Sequence, residues 1–378
     1  MTDRSTIPRL LFWIIGISVL LAGCGGSDTE GPPQLGDWTL QDDGLTLTQE
    51  LQVSETDTYF LGSVQDFDVT TDGHIVVVDR EANNLKVLRS DGSLLDTLGR
   101  QGQGPGEFQD PTIVDVARGD SVYVFDNQLN RLVVFSPPPA AELARSVVIT
   151  SDIGHLSGIR VLGDRFVGEF TPGYTRKEGL YRPTPNTWHA LEGTSVSDDP
   201  LVRVQRRKVA TSFGDEGAAI AYLPFGRVTR VTPGPDGRLY HGINDSLRIR
   251  ATSLDGTTET IAHIPADPVP ITEAERDSAL ADIPSAIRSP LVSNFPDAKP
   301  AFTDLVVADT GRLWVRRPPE GPDAETTSWW VLSPDQKTIH EVRLDAEMDL
   351  EVIQNRHVYG TTTTEAGAPA VVRYQIDS

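Results

Sequence analysis

The chain has 378 residues, and its 54 Asp and Glu outnumber 33 Lys and Arg to give a formal net charge of −21. Phosphate backbones are bound through Lys and Arg that release counterions, so this balance argues against nucleic acid as a partner. With a single cysteine in the sequence there is no intrachain disulfide, and the fold must be held by core burial.

At the start of the chain, Arg4 and Arg9 accompany an uncharged apolar run from Leu10 to Leu21, followed by the small residues Ala22 and Gly23. A basic region, an apolar core of about 7–15 residues and small residues at a cut site make a secretory signal. The run is too short for a permanent membrane span, which needs ~20 residues. The string Leu21-Ala22-Gly23-Cys24 resembles a bacterial lipobox. That resemblance implies cleavage before Cys24, lipid attachment to its thiol, and anchorage on the extracytoplasmic side of a membrane. By the same resemblance, Gly25 is compatible with the outer membrane. An ordinary signal peptide with a cysteine near its cut site is the competing reading. Residues 1–23 thus form a leader, and residues 24–37, rich in Gly, Pro, Ser and acid, form a flexible tether too polar to bury a core.

Beyond the tether, short apolar stretches are punctuated by Gly, Asp and Pro, a pattern of many short strands. Two stretches repeat. Phe67-Asp-Val-Thr-Thr-Asp-Gly-His-Ile-Val-Val-Val-Asp79 is followed by Asn83, and Val114-Asp-Val-Ala-Arg-Gly-Asp-Ser-Val-Tyr-Val-Phe-Asp126 by Asn130. Asp79 and Asp126 are 47 residues apart, and so are Asn83 and Asn130. Weaker copies lie at Gly163–Glu169, Gly237–Asn244, Gly311–Arg316 and Asn355–Tyr359 with Val371–Ile376. Six units of this length suit four strands each, and such small sheets bury both faces only by stacking in a ring. The linker Gly99-Arg-Gln-Gly-Gln-Gly104-Pro-Gly-Glu-Phe108 with Pro111, and the Val-Val-Asp79 and Val-Phe-Asp126 strand ends, resemble the NHL-like six-bladed β-propellers. The likeness is strongest over residues 62–136 and loosens towards Ile376. It implies that Trp38–Leu61 holds an opening strand that completes the last blade and leaves the ring no free edge.

One insertion interrupts the repeats. Thr272-Glu-Ala-Glu275 is a capping box, and Pro284 disfavours helical geometry at Ile283. The sequence therefore predicts one short helix within an insertion at about 271–295, lying across one face of the ring. The expected architecture is an all-β, six-bladed propeller over residues 38–378, closed by its N-terminal strand and carrying one inserted helix.

Strand parity sorts the loops of an a-b-c-d blade. The a–b and c–d turns, such as Asp72-Gly73 and Asp91-Gly92, share one face and are tight, as Asp-Gly pairs prefer. The longer b–c loops and the linkers between blades share the other face, where loops on a rigid scaffold carry function. Asp79, Asp126, Glu169 and Asn244 stand at b-strand ends on that face. Gathered at the axis, these oxygen ligands could hold Ca²⁺, a scheme that resembles the lactonase-like propellers. The competing reading gives Asp79 and Asp126 to hydrogen bonds within their own b–c turns.

The basic run Arg203, Arg206, Arg207 and Lys208 stands out in so acidic a chain. It could receive a carboxylate, a phosphate or an acidic polysaccharide, or face solvent and pair with the protein's own acids. The seven histidines form no zinc motif, and no Gly-x-Ser-x-Gly elbow is present. Trp188, Trp314, Trp329 and Trp330 suit the gaps between blades or the stacking of sugars. These features describe a monomeric binding or scaffold module that holds a protein or glycan by its loop-rich face. A metal-assisted hydrolase or lactonase with its site at the channel mouth is the alternative.

Overall fold

The computed structural model describes residues 35–377 except 42–44, 56–58, 174–176 and 215–216. The leader at 1–23, Cys24 and the tether up to Gln34 lie outside the described residues. No helix among the described residues is long and apolar enough to cross a membrane.

Six four-stranded antiparallel blades follow in chain order. Their first strands are Val64–Val69, Pro111–Val116, His155–Leu162, Thr229–Pro233, Asp304–Val307 and Asp349–Gln354. Each of these a strands touches the a strands of both neighbours, all the way round the ring. In blade 3 the outer strand is split into Ser195–Val196 and Val202–Val204. Blade 6 takes only three strands from the C-terminal segment. Its fourth is Thr46–Val53, antiparallel to Pro369–Asp377 from Thr46 opposite Asp377 to Val53 opposite Val371. This is the closure that the opening segment implied. Just before it, Thr39–Leu40 pairs in parallel with Thr338 and Ile339 on the outside of blade 5, and Leu35 and Trp38 are buried beside blades 4 and 5.

The core is divided among six seams, one between each pair of neighbouring blades. The two-residue period of a strand explains the division. In Ile75–Asp79, Ile75 and Val77 pack towards blade 6, whereas Val76 and Val78 pack towards blade 2. Covered on both faces, such strands read as continuous apolar runs. Trp314 and Trp329 fill the seam of blades 5 and 6, and Trp188 that of blades 3 and 4.

The insertion is larger than the sequence indicated. Residues Gly179–Tyr181, Val209–Gly214 and Gly217–Tyr222 form a separate three-stranded sheet. Two helices follow, α1 (Glu273–Leu280) and α2 (Ser285–Val292), where one was expected. The predicted capping box is present: Thr272 Oγ1 accepts from Glu275 N–H at 3.2 Å and Thr272 N–H donates to Glu275 Oε2 at 2.9 Å. Pro284 both stops α1 and starts α2 as its N-cap residue, because a proline lacks only a donor that the first turn leaves unpaired anyway. Ile287 and Leu291 of α2 pack on Ala210 and Leu223. The inserted segments leave the chain at the b–c loop of blade 3 and at the linkers from blade 3 to 4 and from blade 4 to 5. By parity, all three rise from the loop-rich face and build one cap.

The glycine-rich linker illustrates how blades are joined. Gly99 has φ +78°, and a Cβ there would stand 2.4 Å from the ring of Phe108, which is fully buried in the seam of blades 1 and 2. Arg131 gathers the loop by donating to the carbonyls of Gln103 and Gly104 at 3.0 and 3.1 Å and to that of Glu107. Phe108→Ala is expected to destabilise the protein by about 3–5 kcal/mol, and Gly99→Ala by about 1–3 kcal/mol through overpacking. Both should lower the urea midpoint without changing its slope. Midpoints unmoved in both variants would mean that the linker is not part of the folding unit.

Candidate functional site

The four oxygen-bearing residues at the b-strand ends do not come together. Asp79 accepts from Ala82 N–H in its own turn at 3.2 Å and from Gly62 and Ser63 N–H, both at 3.3 Å, in the segment entering blade 1. Asp126 repeats the arrangement with Leu129 N–H at 3.1 Å, Gln109 N–H at 2.8 Å and Asp110 N–H at 3.3 Å. Asn244 accepts from Val228 N–H at 2.8 Å and donates to the Phe302 carbonyl at 3.0 Å. These three residues staple incoming linkers to b-strand ends, one strand away from the axis. Of the four, only Glu169 borders the channel, where its carboxylate accepts from Asn186 Nδ2 at 2.9 Å. Among the described residues, no group of three or more His, Cys, Asp or Glu is placed to hold a metal ion. Of the two readings of these positions, the calcium cluster is the one the geometry does not assemble: at Asp79, Asp126 and Asn244 the lone pairs that a cation would need are taken by backbone N–H groups, and Glu169 stands apart with the Asn186 side chain.

The axis carries a different set of acids, on the a strands. Asp66 Oδ2 accepts from Val114 N–H at 2.9 Å, and Asp68 Oδ2 from Val116 N–H at 2.6 Å. Asp115 Oδ2 accepts from Val161 N–H, and the Glu351 carboxyl from Phe67 N–H. In each case a carboxyl of one blade meets the inner edge of the next. Arg160 lies among them and bridges Asp66 at 3.0 Å and Asp115 at 2.8 Å. The sequence signal was the spacing of Asp66 and Asp68, two residues apart within the strand Val64–Val69 and therefore on one strand face.

Electrostatics follow from crowding these acids away from bulk water. Burial first, then repulsion from Asp115, pushes the Asp68 carboxyl up to about 7. Burial raises Asp115, with Arg160 opposing the shift. Burial and the adjacent, hydrogen-bonded Asp66 carboxyl drive Glu351 well above the usual carboxylate range. A cavity of about 820 Å³ runs along the a strands to the a–b turns around Ala117, Gly163 and Pro235. A second hollow, lined by Gln65, Asn127, His155 and Ser157, opens on the loop-rich side. Asp66 and Arg160 line both, so this ion pair stands between the two mouths.

The basic run takes its place at the root of the cap. Arg203 is exposed on Val202–Val204, and Arg206, Arg207 and Lys208 are half-buried on the linker into blade 4. Burial and the neighbouring Arg230 lower the Arg207 guanidinium. Arg182 donates to the carbonyls of Arg206 at 2.6 Å and Arg227 at 3.2 Å. Sequence reasoning found the run but not its partners Arg182, Arg227 and Arg230, which lie elsewhere in the chain and join it only when the linker folds back.

A family model described as a six-bladed β-propeller, DUF5128, matches residues 53–137, the region of the two strongest repeats. Among solved structures, an exported protein from Bacteroides fragilis is similar, with 11% identity, a TM-score of 0.55, and coverage of 90% of this chain and 100% of that one. A DUF4221 family member from Bacteroides vulgatus is also similar, with 10% identity, a TM-score of 0.50, and coverage of 89% and 100%. No curated protein matches the chain. Likeness at this identity concerns architecture, and with the six seams and the strand order it establishes the fold class: this protein is a six-bladed β-propeller.

The raised carboxyls set a pH dependence of stability. Asp68 binds its proton more tightly in the folded protein, at about 7, than in the unfolded chain, at ~3.9. The folded state therefore loses stability as pH rises through this window, and the loss levels off above 7. Denaturation midpoints should be higher at pH 5 than at pH 8. Asp68→Asn should raise the pH 8 midpoint while leaving the pH 5 value nearly unchanged. Equal midpoints at the two pH values would show that the channel acids are ionised without penalty.

Proposed function

We propose that this propeller is a lipid-anchored, extracytoplasmic binding module that holds a protein or glycan ligand through the cap on its loop-rich face. The observation that carries this reading is the surface of the cap sheet. Ala210, Ala219 and Ala221 turn towards α2, so the alternate residues Ile220 and Tyr222 project from the opposite side, where each is 53% exposed. Three separate insertions are used to build this platform, and Ile220 and Tyr222 stand side by side on it as one apolar patch, the kind of surface that marks interaction sites. The channel acids, by contrast, are engaged by the N–H groups of neighbouring blades. The Leu21-Ala22-Gly23-Cys24 string supports the anchor, and the similar Bacteroides fragilis protein is itself described as exported.

Two measurements test the reading. A photo-crosslinking amino acid placed at Tyr222 should yield adducts in intact cells, whereas the same probe at Gly163, on the turn face, should yield none. Adducts confined to Gly163, or absent from both, would contradict the assignment of the cap. Cys24→Ser should move the protein from the membrane fraction to the soluble one. Retention in the membrane fraction would remove the lipid from the account.

A further inference from the structure

The root of the cap gathers positive charge that is not ion-paired with a carboxylate among the described residues. Residues 205–208 run back alongside 223–229: Leu223 N–H donates to the Lys208 carbonyl at 2.8 Å, and Thr229 N–H to the Gln205 carbonyl at 2.9 Å. Gln205 N–H in turn donates to Thr229 Oγ1 at 2.9 Å. This pairing sets Arg207 opposite Gly226 and brings the run up to Arg230, the second residue of the blade 4 a strand. The Arg207 stem lies against Gly226, where a Cβ would approach Arg207 Cγ to 2.7 Å, so the missing side chain makes room for the arginine. Arg230 Nε is buried and has no hydrogen-bond partner among the described residues.

Among the described residues, Arg182, Arg206, Arg207, Lys208, Arg227 and Arg230 form no ion pair with a carboxylate, in a chain with a surplus of 21 negative charges. The acid facing Arg230 is Asp304, whose carboxyl is raised by burial against the opposing pull of Arg230, and Asp245 acts on Arg227. Half-buried guanidinium groups side by side repel one another and forgo hydration. An incoming oxyanion reverses both effects, because the planar fork of arginine matches carboxylate and sulfate oxygens two at a time.

We propose that Arg207 and Arg230 form an oxyanion-binding site at the root of the cap, flanked by Arg206 and Lys208, and that its ligand is the acidic group of a glycan. Tyr222 lies close enough to Arg207 to act on its charge, and its exposed ring offers a flat amphipathic face to a sugar whose carboxylate or sulfate meets the arginines. The inference rests on the cap being the binding face and adds the chemistry of what it holds.

Calorimetric titration of the protein lacking residues 1–23 provides the test. A galacturonate oligomer should bind, a neutral glucan of equal length should not, and added salt should weaken the interaction. Arg207→Gln and Arg230→Gln should each weaken binding about tenfold or more, whereas Arg118→Gln on the turn face should leave it unchanged. Arg207→Gln should not lower the melting temperature, since it relieves the repulsion from Arg230; a lowered melting temperature would assign Arg207 to structure. Binding of inorganic sulfate at the same arginines, competing with the oligomer, supports the oxyanion site and separates the free ion from the glycan as its source. Binding of a glutamate-rich peptide without the oligomer would overturn the glycan assignment. Failure of every anion, with adducts still forming at Tyr222, would overturn the oxyanion site while leaving the cap as the binding face.

Discussion

The structure depends on how the inner edges of its sheets are satisfied. A strand at the edge of a sheet presents unpaired N–H groups, and a propeller gathers six such edges around one axis. Here the edges are met by carboxyls from the preceding blade: Glu351 for Phe67, Asp66 for Val114, Asp68 for Val116 and Asp115 for Val161. The lacing runs from blade 6 through blades 1 and 2 to blade 3. It explains why acids sit in an otherwise apolar layer, why Arg160 is needed between two of them, and why Asp68 and Glu351 are driven towards their protonated forms. A buried acid left unmet would be costly, but one that accepts from the backbone replaces the water that the backbone has lost.

The rest of the ring is bridged differently. Between blades 3 and 5 the roots of the cap cross from one blade to the next, through Gln205 to Thr229, Arg227 to the Ala298 carbonyl at 3.0 Å, and Asn244 to the Phe302 carbonyl at 3.0 Å. The buried pair Glu275 and Lys299 extends this bridge, with Lys299 Nζ donating to the Pro319 carbonyl at 2.7 Å. One side of the ring is thus laced from within and the other clasped from above. The division leaves the cap tied at its base and open on its outer sheet face.

Much of the architecture was legible in the residues. The paired copies around Asp79 and Asp126 marked the period, the short apolar runs such as Ile75–Val78 marked strands that are buried on both faces, and the Thr272–Glu275 box marked a helix start. The second helix was hidden by Pro284, which reads as a stop from one side and serves as a start from the other. The cap sheet was hidden because Gly217-Ala-Ala-Ile-Ala-Tyr222 carries little local strand signal and gains its burial from α2, some 65 residues later. The sites were harder to read for the same reason. Asp79 and Asp66 are both strand acids, and whether either can hold a ligand depends on where distant N–H groups arrive. Arg207 looked like one charge in a run until folding brought Arg230 beside it.

Native-state hydrogen exchange reads directly whether carboxyls of one blade satisfy the inner edge of the next. The amides of Phe67, Val114, Val116 and Val161 should exchange only through global unfolding, with one shared free energy, although they belong to strands at the inner sheet edge. Exchange of these four on the fast timescale of unprotected edge amides would contradict the account.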